Sequence, residues 1–191
     1  MNDITIHFEG PFTFVEGAHS IFHSRFATSQ GVYLWTFKQN DGSHLIHYVG
    51  ETTAFARRQR EHLIRVLSLD YGMFDPDDAK KGICNIVWPG LWRDKSPDGP
   101  SSLIKRYAEL APMVVRYLHE LTVFFAPVEV ETQLRRHIEG SIGYNLRNRY
   151  PQQRRLFPDD NHIGTSKTPH NVRLLISSTE PIQGLDGELE I

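Results

Sequence analysis

The stretch from Gly31 to Gly50 constrains the chain more than any other. Two runs rich in β-branched and aromatic residues, GVYLWTF from Gly31 and HLIHYVG from His44, flank the polar tetrapeptide Asn40-Asp41-Gly42-Ser43. Apolar runs on either side of Asp-Gly predict an antiparallel hairpin. A turn centred on Asp41-Gly42 sets Tyr33 opposite Gly50 and Trp35 opposite Tyr48. Tyr33 and Tyr48 then share a face as diagonal neighbours about 7–8 Å apart, near enough for two phenols to address one small group.

Around this hairpin the pattern alternates between strand and helix. Ile4, Ile6, Phe8, Phe12 and Phe14 alternate loosely about Gly10-Pro11, predicting a short strand or hairpin ahead of the main fold. Phe55, Leu63, Val66 and Leu67 predict a helix over 53–69, with Thr52 or Thr53 as its N-cap. Arg58 and His62, four apart, lie on one face of it. Residues 70–100, rich in Asp, Gly, Pro and Lys, read as an irregular insertion with a short apolar piece at 83–88. Helical spacing resumes from Leu103 to Leu118, and Pro112 is expected to divide it. A third strand fits 121–128, and a last helix is expected from Glu129–Glu131 to Ser141, ending at Gly143. From Tyr150 onward the chain reads as loop, with a short strand at 172–177. These elements define an α/β (α+β) fold, a small mainly antiparallel central sheet flanked by helices. They fit one domain over 1–191, with a core at 31–145, an N-terminal extension at 1–30 and a C-terminal extension at 150–191.

Composition removes several function classes. No apolar run approaches the roughly 18 residues a membrane helix needs, and Met1-Asn2-Asp3-Ile4 has no basic, apolar leader, so a cytoplasmic location and no membrane partner are expected. Cys84 is the single cysteine, which excludes a disulfide framework, a cysteine-built zinc site and an iron–sulfur cluster. A net charge of −2 argues against a surface that grips nucleic acid everywhere, but the charge is uneven. Glu180, Asp186, Glu188 and Glu190 crowd the last twelve residues. Basic side chains gather instead at Arg57, Arg58, Arg60 and Arg65, and again at Arg135, Arg136, Arg147, Arg149, Arg154 and Arg155.

Taken together, Gly31-Val32-Tyr33, Tyr48-Val49-Gly50, Arg58 and His62 resemble the GIY-YIG endonuclease family in order and spacing. The family places its two tripeptides on partnered strands, then an arginine about ten residues on and a histidine or tyrosine one helical turn later. It next has a glutamate at the start of a helix after the third strand, and an asparagine a dozen or more residues beyond. Glu131 with Asn145 is the best match. Glu129 takes the role if the helix starts earlier, whereas Glu139 lies closer to Asn145 than the family spacing usually allows. The resemblance spans about 115 residues and departs from the minimal pattern in the long insertion.

This resemblance implies metal-dependent hydrolysis of DNA phosphodiester bonds, of the restriction type since no zinc finger or helix-turn-helix module is appended. Tyr33, Tyr48, Arg58, His62, Glu131 and Asn145 would form the site, with Gly31 and Gly50 structural. A lone carboxylate suits Mg²⁺ (or Mn²⁺), which keeps most of its waters, so Glu131 would hold the metal. Arg58 offers a planar fork to the scissile phosphate. The general base is one of Tyr33, Tyr48 and His62. Asn145 would fix local geometry. Arg57, Arg60, Arg135, Arg136, Arg147 and Arg149 are the expected DNA-backbone contacts. One site cuts one strand, so double-strand cleavage would need a homodimer or two visits. The alternatives are a non-catalytic nucleic-acid-binding module on the same fold, a repair or structure-specific nuclease, and an interaction domain unrelated to nucleic acid. Trp88 and Trp92 in the insertion read as a cap over the core or as base-stacking residues.

Overall fold

The structure, a computed structural model, describes residues 2–93, 96–149, 172–185 and 187–191. Nine strands and four helices make up the described residues: β1 (Asn2–Phe12), β2 (Gly31–Lys38), β3 (His44–Thr52), α1 (Phe55–Leu67), β4 (Met73–Phe74), α2 (Pro76–Ala79), β5 (Ile86–Trp88), α3 (Gly99–Glu120), β6 (Leu121–Pro127), α4 (Thr132–Arg149), β7 (Val172–Ser178), β8 (Ile182–Gln183) and β9 (Glu188–Glu190). Seven strands form one sheet in the order β8-β3-β2-β6-β1-β7-β9. The β1–β7 and β3–β8 pairs are parallel and the others antiparallel. The fold is thus α+β on a mainly antiparallel sheet, and that sheet is larger than expected because both terminal segments join it. The segment expected as a short outlying strand, β1, lies inside the sheet between β6 and β7.

Strand β2 lies inside the sheet between β3 and β6 and is buried on both faces. Its period of two sorts the side chains into two cores. Tyr33, Trp35 and Phe37 meet Phe55 and Val66 of α1 and Leu110, Val114 and Tyr117 of α3. Val32 and Leu34 on the opposite face meet Ile138, Ile142 and Leu146 of α4. The sheet therefore divides α1 and α3 from α4.

The hairpin register matches the expectation at the functional end: Tyr33 pairs with Gly50, and Trp35 with Tyr48. It arises by a different route. The connection is the loop 39–43, with Gly42 at φ 85, and Lys38 pairs with His44. An irregularity between Trp35 and Thr36 then inserts His47 as an extra residue and restores the predicted pairing.

Three helix expectations are corrected. Helix α1 is preceded by a Thr52 turn, in which the Ala54 N–H donates to the Thr52 hydroxyl (3.0 Å), and the N-cap is Ala54. Pro112 lies inside an unbroken α3, because Leu110, Val114, Tyr117 and Leu118 hold both flanking turns on the core. Helix α4 does not stop at Gly143; it passes through Gly140 and Gly143, both buried, to Arg149. Glycines cost helix propensity, but here the apolar stripe Ile138, Ile142 and Leu146 outweighs it.

The insertion holds α2 and the β4–β5 ribbon. Trp88 is a core residue whose indole donates to the Leu69 carbonyl (2.7 Å), whereas Trp92 stays 66% exposed. No described helix is long and apolar enough to cross a membrane.

Candidate active site

The two tripeptide glycines are explained by space alone. A Cβ on Gly31 would sit 2.0 Å from the Ala126 carbonyl oxygen of β6. A Cβ on Gly50 would sit 2.2 Å from Cζ and Oη of Tyr33 across the ladder. Glycine at 31 lets β2 and β6 approach, and glycine at 50 lets the Tyr33 ring lie flat over β3. Tyr33 and Tyr48 stack with ring centroids 6.0 Å apart.

Helix α1 crosses this pair and brings Arg58 and His62 to it. The Tyr33 hydroxyl is 2.6 Å from His62 Nε2, and His62 Nδ1 is 3.1 Å from the Tyr71 hydroxyl. Arg58 and Tyr48 lie within electrostatic reach of Tyr33. A neutral His62 has one donor and one acceptor nitrogen: where the Tyr33 hydroxyl donates to Nε2, Nδ1 carries the proton and donates it to Tyr71. Tyr33 is the hub of the network and is fully buried. Tyr48 is half-buried and Arg58 39% exposed at its side chain, so these two face outward.

Electrostatics fix the protonation states. Burial pushes the Tyr33 phenol well above its usual value, with Tyr48 adding to the rise and Arg58 opposing it. Burial also lifts Tyr48 to about 12. Burial, together with the cations Arg58 and Arg65, drives His62 down to about 3, so it is a neutral imidazole at any physiological pH. Burial works against the Arg58 charge, but the surrounding phenols and Glu61, 3.0 Å away, outweigh it and keep the guanidinium protonated.

The carboxylate beside this network is Glu139, not Glu131. Glu139 lies in the electrostatic field of Tyr48, Tyr33 and Arg58, and accepts a hydrogen bond from the Glu51 backbone N–H. Burial and then the Glu51 carboxylate raise it to about 7, against the pull of Arg58 and Arg136. Strand β8 pairs only with His44 and Leu45, so among the described residues the far half of β3 is an edge, and Glu139 of α4 meets the Glu51 backbone N–H there. Glu131 precedes α4 and is exposed, as is Glu129. Eight residues separate Glu131 from Glu139, about 12 Å along a helix, which removes Glu131 from the cluster. Asn145 is half-buried on α4, and six residues at 100° each turn it about 120° away from Glu139.

The basic residues divide. Arg135 is fully buried; it bonds Glu51 (2.9 Å), Gln30 (3.0 Å), the Val130 carbonyl (2.9 Å) and Thr132 (3.2 Å). It is a structural cation that fastens α4 to β3, and the expectation that it contacts DNA is corrected. Arg57, Arg60 and Arg136 are exposed, with Arg57 3.5 Å from Glu61 and Arg136 3.4 Å from Glu51. Arg147 is half-buried on α4, and the side chain of Arg149 lies outside the described residues, as do Arg154 and Arg155.

Two members of the cluster carried no signal of their own in the sequence. Tyr71 lies in the insertion, where only its hydrogen bond to His62 marks it. Glu51 directly follows Gly50, and only the burial of Arg135 shows that it has a charge to balance.

Compared with family models, curated proteins and solved structures, the chain matches none of them.

Proposed function

We propose that this chain is a metal-dependent endonuclease that hydrolyses DNA phosphodiester bonds, in the manner of the GIY-YIG enzymes its sequence resembles. One observation carries the reading: two phenols, a guanidinium, a neutral imidazole and a carboxylate, supplied by β2, β3, α1 and α4, meet in one cluster. Phosphodiester hydrolysis asks for a clamp on the phosphate, an acceptor for the proton of water and compensation of growing charge. Arg58 is the clamp. Tyr48, the phenol that faces outward, meets the attacking water. Tyr48 orients that water, whose proton leaves to solvent on the exposed side, and the Tyr33–His62 bond (2.6 Å) holds the phenol pair in place.

The metal role passes from Glu131 to Glu139. Mg²⁺ or Mn²⁺ would meet one carboxylate there, which a second carboxylate and burial make favourable to a cation; among the described residues no group of three or more His, Cys, Asp or Glu side chains gathers to hold a metal, so water and substrate oxygens would supply the remaining ligands. Glu51 is already engaged by Arg135 and Arg136, leaving Glu139 as the ligand. When bound, the ion would supply Lewis-acid stabilisation of the phosphate oxygens and of the leaving oxygen.

The test is cleavage of supercoiled and linear DNA with Mg²⁺, with Mn²⁺ and with chelator. Wild type and Glu131→Ala should cut in a metal-dependent way, whereas Glu139→Gln and Arg58→Ala should lose at least a hundredfold in rate. Cutting by Glu139→Gln at the wild-type rate would refute the assignment. Discrete fragments would favour a restriction enzyme, and two-strand cuts whose rate rises with the square of protein concentration would favour a homodimer. Binding without cleavage would move the reading to a DNA-binding module.

A further inference from the structure

The insertion places an exposed indole next to this cluster. Trp92 is 66% exposed, the most exposed of the three tryptophans, while Trp35 and Trp88 lie in the core at 3% and 2%. An exposed indole offers a broad apolar face, and this one is held in place. Its backbone N–H donates to the Asp70 carbonyl (3.0 Å), and the Leu91 N–H donates to Leu69 (3.1 Å). Gly90, at φ +87, makes the turn; a Cβ there would meet Gly72, Tyr71 and Asp70 backbone atoms at 2.5–2.7 Å.

Arg65 connects Trp92 to the cluster. Its guanidinium lies 5.9 Å from the Trp92 ring centroid and 5.8 Å from that of Tyr71, whose hydroxyl bonds His62. Asp70 anchors Arg65 at 2.6 Å. Arg58, His62 and Arg65 follow one another at i, i+4 and i+7 on one face of α1. A phosphate on Arg58 and a ring on Trp92 are thus separated by the roughly 10 Å between Arg58 and Arg65 along the helix together with the 5.9 Å from Arg65 to the indole, a few nucleotide steps.

We propose that Trp92, with Arg65 beside it, is a stacking platform for an unpaired nucleobase near the scissile phosphate, so that the substrate class is DNA with a single-stranded segment rather than uniform duplex. An aromatic face backed by a cation is what single-strand-binding surfaces use, and duplex bases, stacked on each other, cannot reach it without being displaced. This rests on the nuclease reading for what happens at Arg58, but binding can be read without cleavage.

The experiment titrates the full chain, with chelator present, with a single-stranded thymidine oligonucleotide and with a fully paired duplex, following tryptophan fluorescence and affinity. The single strand should quench the exposed tryptophan and bind more tightly than the duplex. Trp92→Ala should lose that quench and weaken single-strand binding about 5- to 150-fold, with Trp92→Phe restoring most of the affinity. Equal binding of the single strand by wild type and Trp92→Ala, or preference for duplex, overturns the platform. Cleavage that persists while Trp92→Ala binds normally removes the platform and leaves the nuclease. Trp92-dependent binding without any cleavage removes the nuclease and leaves the platform.

Discussion

Replacing Gly50 with alanine tests the packing on which the cluster depends. The new Cβ would lie 2.2 Å from Tyr33 Cζ and Oη, and ordinary contact begins near 3.4 Å, so the ring must retreat by about 1.2 Å. It has little room, because Tyr48, Phe55 and His62 surround it. Overpacking of this kind costs about 1–3 kcal/mol. Loss of the 2.6 Å bond from Tyr33 to His62 adds about 1 kcal/mol. The sum is about 2–4 kcal/mol, which for a domain of this length lowers Tm by roughly 5–15 °C. Thermal unfolding followed by circular dichroism measures it. A double-mutant cycle isolates the cause: in a Tyr33→Ala background the clash has no partner, so adding Gly50→Ala should cost nothing measurable. Gly187→Ala, whose Cβ would meet only the Ile176 carbonyl at 3.9 Å, is the neutral control. Equal cost of Gly50→Ala in both backgrounds would refute the reasoning.

Two further outcomes follow from the charges. Arg135→Ala should destabilise the fold by about 3–5 kcal/mol, since it strips a buried cation from Glu51; chemical denaturation checks this, and a variant of wild-type stability that binds DNA weakly would show that the residue is an interface cation instead. His62, held at about 3 by burial and by Arg58 and Arg65, binds no proton in the folded chain where an unfolded histidine, at about 6.5, does. Stability should therefore fall as pH drops from about 6.5 towards 3, with His62 contributing up to about 1.4 kcal/mol per pH unit. His62→Phe should flatten that slope, and an unchanged slope in denaturant melts across pH would contradict a neutral buried imidazole.

Much of the site was legible because its first half is local. Alternation around Asp41-Gly42 fixes which residues of the hairpin face each other, and a four-residue step fixes Arg58 above His62. The carboxylate was not legible in the same way. Glu129, Glu131 and Glu139 all precede Asn145, and only the seat of α4 on Val32 and Leu34 decides which one reaches the tyrosines. Composition likewise cannot separate Arg135, sealed under the helix start, from its exposed neighbour Arg136. Pro112 and Gly143 are local breakers that tertiary packing overrode. The places of β1 and β7 in the sheet depend on pairing between distant residues, for which the hydrophobic pattern of either strand alone holds no instruction.

The parallel pairing of β1 with β7 joins Asn2 to Val172 and Phe8 to Ser178. In a growing chain, about 170 residues separate β1 from its neighbour; at roughly 5–20 residues per second the interval is about 10–35 s. The hairpin and α1 can close within themselves during that time, whereas β1 waits with both sides unpaired until β6 is made and with one side unpaired until β7 is. Ile4, Ile6 and Phe8 then offer a bare strand edge to any passing chain. For this protein the hazard of misassembly falls on the interval between the synthesis of β1 and that of β7 rather than on the finished fold, and it ends when β7 covers that edge.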